Sequence, residues 1–70
     1  MNNESKIIEA LTQAGYITRQ SKFDSSKINI DLNEKTIGYI DRINNFRYYA
    51  YGQDKEETAK VRQVIKLVKS

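Results

Sequence analysis

Residues 27–51 read as three extended runs separated by turns of two or three residues, and that spacing limits the middle of the chain to an antiparallel meander. Lys27–Leu32 alternates, with Ile28, Ile30 and Leu32 facing one way and Lys27, Asn29 and Asp31 the other. Asn33-Glu34-Lys35 supplies a turn, and Thr36–Ile43, rich in β-branched residues, is the second strand. Asn44-Asn45 is a two-residue hairpin turn, because Asn tolerates the positive φ such turns require. Phe46–Tyr51 is the third strand and is mostly aromatic.

Helical patterns flank this region. From Glu4 to Ala14, Ile7, Ile8, Leu11 and Ala14 fall on one stripe at helical spacing. Asn2 or Asn3 is placed to cap that helix, and Glu4 suits the positive end of its dipole. Gly15 stands where a helix ends in a left-handed residue, so that Tyr16 or Ile17 folds back on Leu11. The last helix opens with Asp54 and Glu57 at capping-box spacing, and Val61, Val64, Ile65 and Val68 form its apolar face. Between the first helix and Lys27, the Tyr16–Phe23 segment has room for a short extended piece, but its centre, Thr18–Lys22, is polar, and it is not counted among the strands of the meander. The expectation is one α+β domain over residues 1–70, in α-β-β-β-α order, with a three-stranded antiparallel meander packed with two helices.

At 70 residues the chain is short enough that stability is marginal and each apolar residue matters. The expected core is Ile7, Leu11, Ile28, Ile30, Ile37, Tyr39, Val61, Ile65 and Val68. Hairpin arithmetic divides the sheet. A turn at Asn44-Asn45 sets Ile43 opposite Phe46, Asp41 opposite Tyr48 and Tyr39 opposite Ala50 on one side. It sets Arg42 opposite Arg47, Ile40 opposite Tyr49 and Gly38 opposite Tyr51 on the other. The first hairpin then places Ile28, Ile30 and Leu32 with Ile37 and Tyr39, under the helices. The opposite face carries Ile40, Arg42, Arg47, Tyr49 and Tyr51. A second constellation lies on the last helix, where Lys55, Arg62, Lys66 and Lys69 share one narrow arc.

Those residue types bind. Tyr rings stack on bases, and Arg pairs with phosphates or stacks in turn. A basic helix stripe tracks a phosphate backbone. The competing account is structural: a helix over each sheet face turns the aromatics into core, and the stripe is a solvated surface. The same Tyr and Arg residues serve equally for a protein partner, since these types dominate protein hot spots.

Composition removes other possibilities. The chain has no Cys and no His, which rules out disulfides, the usual zinc sites and Ser-His or Cys-His nucleophile pairs. It carries no Gly-rich phosphate loop, and no cofactor is expected. Asp41 is the one carboxylate in the middle of a strand, and a solvent-facing charge that discourages edge aggregation accounts for it. The net charge of +3 permits nucleic-acid binding without requiring it. No apolar run reaches the length of a membrane span, and Met1-Asn2-Asn3-Glu4 lacks the pattern of a secretory leader, so a cytoplasmic setting is expected. The expected function is a non-enzymatic binding module acting on nucleic acid or in regulation. The alternative is a protein-binding adaptor or inhibitor of the mobile-element or phage type, which occludes its partner. A homodimer through a strand edge or the sheet face is also compatible with the sequence.

In element order the chain resembles the double-stranded RNA-binding domain over most of its length. It departs from that family at Asp54-Lys55-Glu56-Glu57, where such domains carry a Lys cluster, and in lacking the His of the loop between their first strands. No site residue is carried over from the resemblance.

Overall fold

The computed structural model describes residues 3–52 and 54–69. Its elements, in order, are α1 (Asn3–Gln13), β1 (Ile17–Gln20), β2 (Lys27–Leu32), β3 (Lys35–Asp41), β4 (Arg47–Ala50) and α2 (Lys55–Lys69). The strands pair antiparallel in the order β1-β2-β3-β4. The α+β arrangement agrees with the sequence reading, but the sheet has four strands rather than three. The additional strand is the polar Ile17–Gln20, paired with Ile28–Asp31 of β2. It departs from the α-β-β-β-α order and from the resemblance built on it.

Both helix boundaries have local causes. Gly15 adopts φ 99°, and Tyr16 N–H reaches back to the Leu11 carbonyl at 3.0 Å. This is a Schellman-type ending, and it turns Tyr16 into the core beside Leu11. Ile17, the other candidate for that role, is exposed. At the start of α2, Asp54 Oδ1 accepts the Glu57 N–H at 3.1 Å. Glu57 takes a tertiary role instead of reaching back: its carboxylate accepts the Tyr16 hydroxyl at 3.0 Å and pairs with Lys60 at 3.2 Å. Asn3 lies within α1, and Asn2, the alternative cap, is outside the described residues.

Both helices cover the same sheet face. The core contains Ile7 and Leu11 of α1, Tyr16, Ile28 and Ile30 of β2, Ile40 of β3, Tyr48 of β4, and Val61 and Ile65 of α2. The helices pack on each other, α1 against β1 and α2 against β4. Ile37 and Val68 are only partly buried against this core.

Three of the expected core and face assignments, those of Tyr39, Ile40 and Arg42, are overturned, because both hairpins have an odd-numbered irregularity. In the first, the turn is Asn33-Glu34, with φ of 53° and 65°, rather than three residues. Leu32 pairs with Lys35 and Asp31 with Thr36. A bulge then leaves Ile37 over, so that Ile30 pairs with Gly38 and Ile28 with Ile40. In the second, the residues at positive φ are Asn45 and Phe46, not Asn44 and Asn45. Arg47 N–H bonds the Asn44 carbonyl at 3.2 Å, and the loop extends back to Arg42, so that Asp41 pairs with Arg47, Ile40 with Tyr48 and Tyr39 with Tyr49. Each slip exchanges faces along β3. Ile40, expected outside, is fully buried, while Tyr39, expected in the core, stands on the uncovered face.

Arg42 moves with Ile40. It lies on the helix-covered side, half-buried at the sheet margin. There its guanidinium pairs with Glu4 of α1 at 2.5 Å and donates to Gln20 Oε1 at 2.6 Å and to the Ser25 carbonyl. It pins the start of α1 to the ends of β1 and β3, and is withdrawn from the proposed binding face.

The same buried layer makes stability fall in alkali. Burial, and next the hydrogen bond to Glu57, raise the Tyr16 pKa above its ordinary 10.0. Burial also raises Tyr48. Below about pH 10 both states hold these protons, and the contribution is intact. Above it the unfolded chain ionises first, so stability is lost as pH rises toward the folded values. Urea midpoints measured from about pH 9 to 11 should therefore fall, and fall less steeply in Tyr16→Phe. Equal slopes in the two proteins would show that Tyr16 does not carry the effect.

Candidate binding surfaces

The uncovered sheet face is built from the residues whose parity opposes the core: Ile17 and Arg19 of β1, Lys27, Asn29 and Asp31 of β2, Tyr39 and Asp41 of β3, Arg47 and Tyr49 of β4, and Tyr51 just beyond. Three tyrosines form its centre. The Tyr39 and Tyr49 rings stack with centroids 5.1 Å apart and planes 19° apart. Tyr51 meets Tyr39 at 5.6 Å in a tilted contact. Cross-strand pairing explains the first contact, since Tyr39 and Tyr49 are direct partners. Two cations bracket the rings, with Lys27 Nζ 5.0 Å from the Tyr39 centroid and the Arg47 guanidinium 5.5 Å from that of Tyr49. Asn44 Nδ2 donates to the Tyr49 hydroxyl at 2.7 Å and fixes that ring's outer end.

The two carboxylates of the face have partners within it. Asp31, nearly buried, accepts from Thr36 at 2.8 Å and pairs with Arg19 at 2.8 Å. Asp41 lies between Lys27 and Arg47 in the register and accepts the Ile43 N–H at 3.1 Å. Lys27 itself is held charged by Asp24, whose neighbouring carboxylate raises its pKa. The tyrosine patch is thus cationic at its rim, with a carboxylate between the two charges.

Of the site residues expected from sequence, the structure brings Arg47, Tyr49 and Tyr51 together on this face and removes Arg42 from it. Tyr39 and Lys27 join them, and sequence reasoning missed both. No local signal marks Tyr39: the two-residue turn alone would set it opposite Ile28 in the core, and the bulge at Ile37 turns it outward.

The helix stripe is a separate surface. Lys55, Arg62, Lys66 and Lys69 are all exposed. They line the furrow between α2 and the outer margin of β4, on the covered side of the sheet. Lys69 Nζ donates to the Asn45 carbonyl at 2.5 Å and closes one end. No group of carboxylates, His or Cys among the described residues is arranged to hold a metal ion. No helix among them is long and apolar enough to cross a membrane. Set against known protein families, curated proteins and solved structures, the chain finds no match in any of the three.

Proposed function

We propose that this chain is a non-enzymatic binding module that takes single-stranded nucleic acid on its uncovered sheet face. The observation that carries the reading is the Tyr51–Tyr39–Tyr49 cluster, left open by both helices and bracketed by Lys27 and Arg47. Unstacked bases lie on such rings, each contact being worth ~1–3 kcal/mol, and duplex bases are not available for it. The rim cations meet phosphates. With two of them engaged, the logarithm of affinity should fall with the logarithm of salt at a slope of only about −1.4. Stacking therefore outweighs charge at this surface.

The test is fluorescence anisotropy of a labelled mixed-sequence single-stranded oligonucleotide, with a duplex as control. Tyr49→Ala combined with Tyr51→Ala should leave the circular dichroism spectrum intact and weaken binding about thirtyfold or more. An unfolded variant, or unchanged affinity in a folded one, would remove the proposal. A second reading, as an adaptor or inhibitor that occludes a partner protein, is favoured by two apolar loop residues at one end of the sheet. Phe23 is 99% and Ile43 85% exposed. Absence of oligonucleotide binding at low salt would select it.

A further inference from the structure

The furrow between α2 and β4 has a chemistry of its own. β4 is an outer strand of the sheet. Tyr51 N–H bonds the Ile37 carbonyl at 2.8 Å, which places Tyr51, and with it Tyr49, in the inward-bonding positions of the ladder. The strict alternation of an antiparallel pair then turns the N–H and C=O groups of Tyr48 and Ala50 outward, toward the furrow. Beside them lie Ala59 and Leu67 of α2, the latter 68% exposed. Above them stand Lys55, Arg62 and Lys66, none of which is paired with a carboxylate among the described residues. Asp54 is the one acid lining the furrow, and it is engaged as the helix cap.

We propose that this furrow accepts an extended acidic peptide segment of a partner protein, which adds to the sheet as a fifth strand along β4. Strand addition supplies main-chain bonds to Tyr48 and Ala50, and alternate side chains supply selectivity. The spacing fits. Alternate residues of a strand recur every ~6.7 Å. Arg62 and Lys66, four residues apart on α2, are offset by ~6 Å along the helix axis. Two acidic residues separated by one other residue therefore meet these two cations. A phosphate backbone matches the cations but not the outward carbonyls of Tyr48 and Ala50, which repel it. A second copy matches the strand edge but not the charge, because pairing β4 with β4 sets one basic stripe beside another. The site lies on the opposite side of β4 from the tyrosine face and does not depend on that reading.

The experiment titrates isotopically labelled protein with a blocked eight-residue peptide of alternating Glu and Val. Its controls are a Lys-for-Glu version and two versions N-methylated at either alternate set of residues. The Tyr48 and Ala50 amides should shift and exchange more slowly. Affinity should fall at least tenfold in the Lys peptide and in the variant Arg62→Glu with Lys66→Glu. That variant should keep its fold and its oligonucleotide binding, since all the tyrosines remain. Methylation of one set should abolish binding, and methylation of the other should be tolerated. Equal binding of both methylated peptides would reduce the contact to charge alone and overturn the proposal. So would unmoved Tyr48 and Ala50 amides, displacement of the peptide from them by a single-stranded oligonucleotide, or shifts that follow protein concentration without peptide.

Discussion

Gly38→Ala is expected to lower the melting temperature by more than ~12 °C. A Cβ at this position would lie 2.5 Å from the Tyr49 carbonyl oxygen, 2.6 Å from Tyr48 Cε1 and 2.7 Å from the Tyr48 hydroxyl. The nearest of these atoms is backbone in the neighbouring strand, so the clash cannot be relieved by a rotamer change alone. Either β3 and β4 separate, or the Tyr48 ring leaves the core and its hydroxyl gives up the Ile37 carbonyl, which it reaches at 3.2 Å. Overpacking of this kind costs ~3 kcal/mol, with about 1 kcal/mol more for the lost hydrogen bond. A domain of this size has on the order of 5 kcal/mol in total. The thermal shift follows from ~4–8 °C for each kcal/mol. A melting temperature within a few degrees of the parent would mean that the Tyr48 ring does not lie over Gly38.

The second large effect is expected at Ile40. Its side chain is fully buried between Ile28 and Tyr48, its cross-strand partners. Ile40→Ala should destabilise by ~2–5 kcal/mol, enough to leave much of the population unfolded, whereas Ile40→Val should cost ~0.5–1.5 kcal/mol. Tyr39→Ala, one residue earlier on the uncovered face, should cost only about 1 kcal/mol through the lost ring contacts. Chemical denaturation of the three variants reads out the register of both hairpins at once. If Tyr39→Ala proved the damaging change and Ile40→Ala the mild one, the face assignment would be reversed.

That contrast also marks where sequence reasoning stopped. Lys27–Leu32 was legible to the residue, because a strand packed on one face prints its alternation directly. The ends of the helices were legible at Gly15 and Asp54, where the backbone needs a residue of particular chemistry. What could not be read was the count between strands. Alternation repeats every two residues, so a single bulge at Ile37, or a turn placed one residue later, inverts a face without altering any local pattern. Tyr39, Ile40 and Arg42 were all misassigned for that one reason. Arg47, Tyr49 and Tyr51 were placed on the uncovered face because two errors of parity cancel across β3. The strand Ile17–Gln20 was only faintly legible, as room for a short extended piece within Tyr16–Phe23, for a different reason. As an outer strand with a polar face it has little apolar alternation to show, and it is held by pairing to β2 and by α1.

The sheet order β1-β2-β3-β4 has a kinetic consequence. Every strand pairs with its neighbour in the chain, so each pairing closes only a short loop. The contacts that span the chain are those of α1 with α2, the Tyr16–Glu57 hydrogen bond and the Glu4–Arg42 ion pair. Local closure of this kind is fast, and the meander is free to zip before either helix docks. The late and slower event is then the return of α2 onto α1, which joins the two ends of the chain and buries Val61 and Ile65. The sequence contains no proline, so no isomerisation phase of tens of seconds has a source. Refolding is expected as a single rapid phase whose barrier is the closure of the two helices over an already ordered sheet.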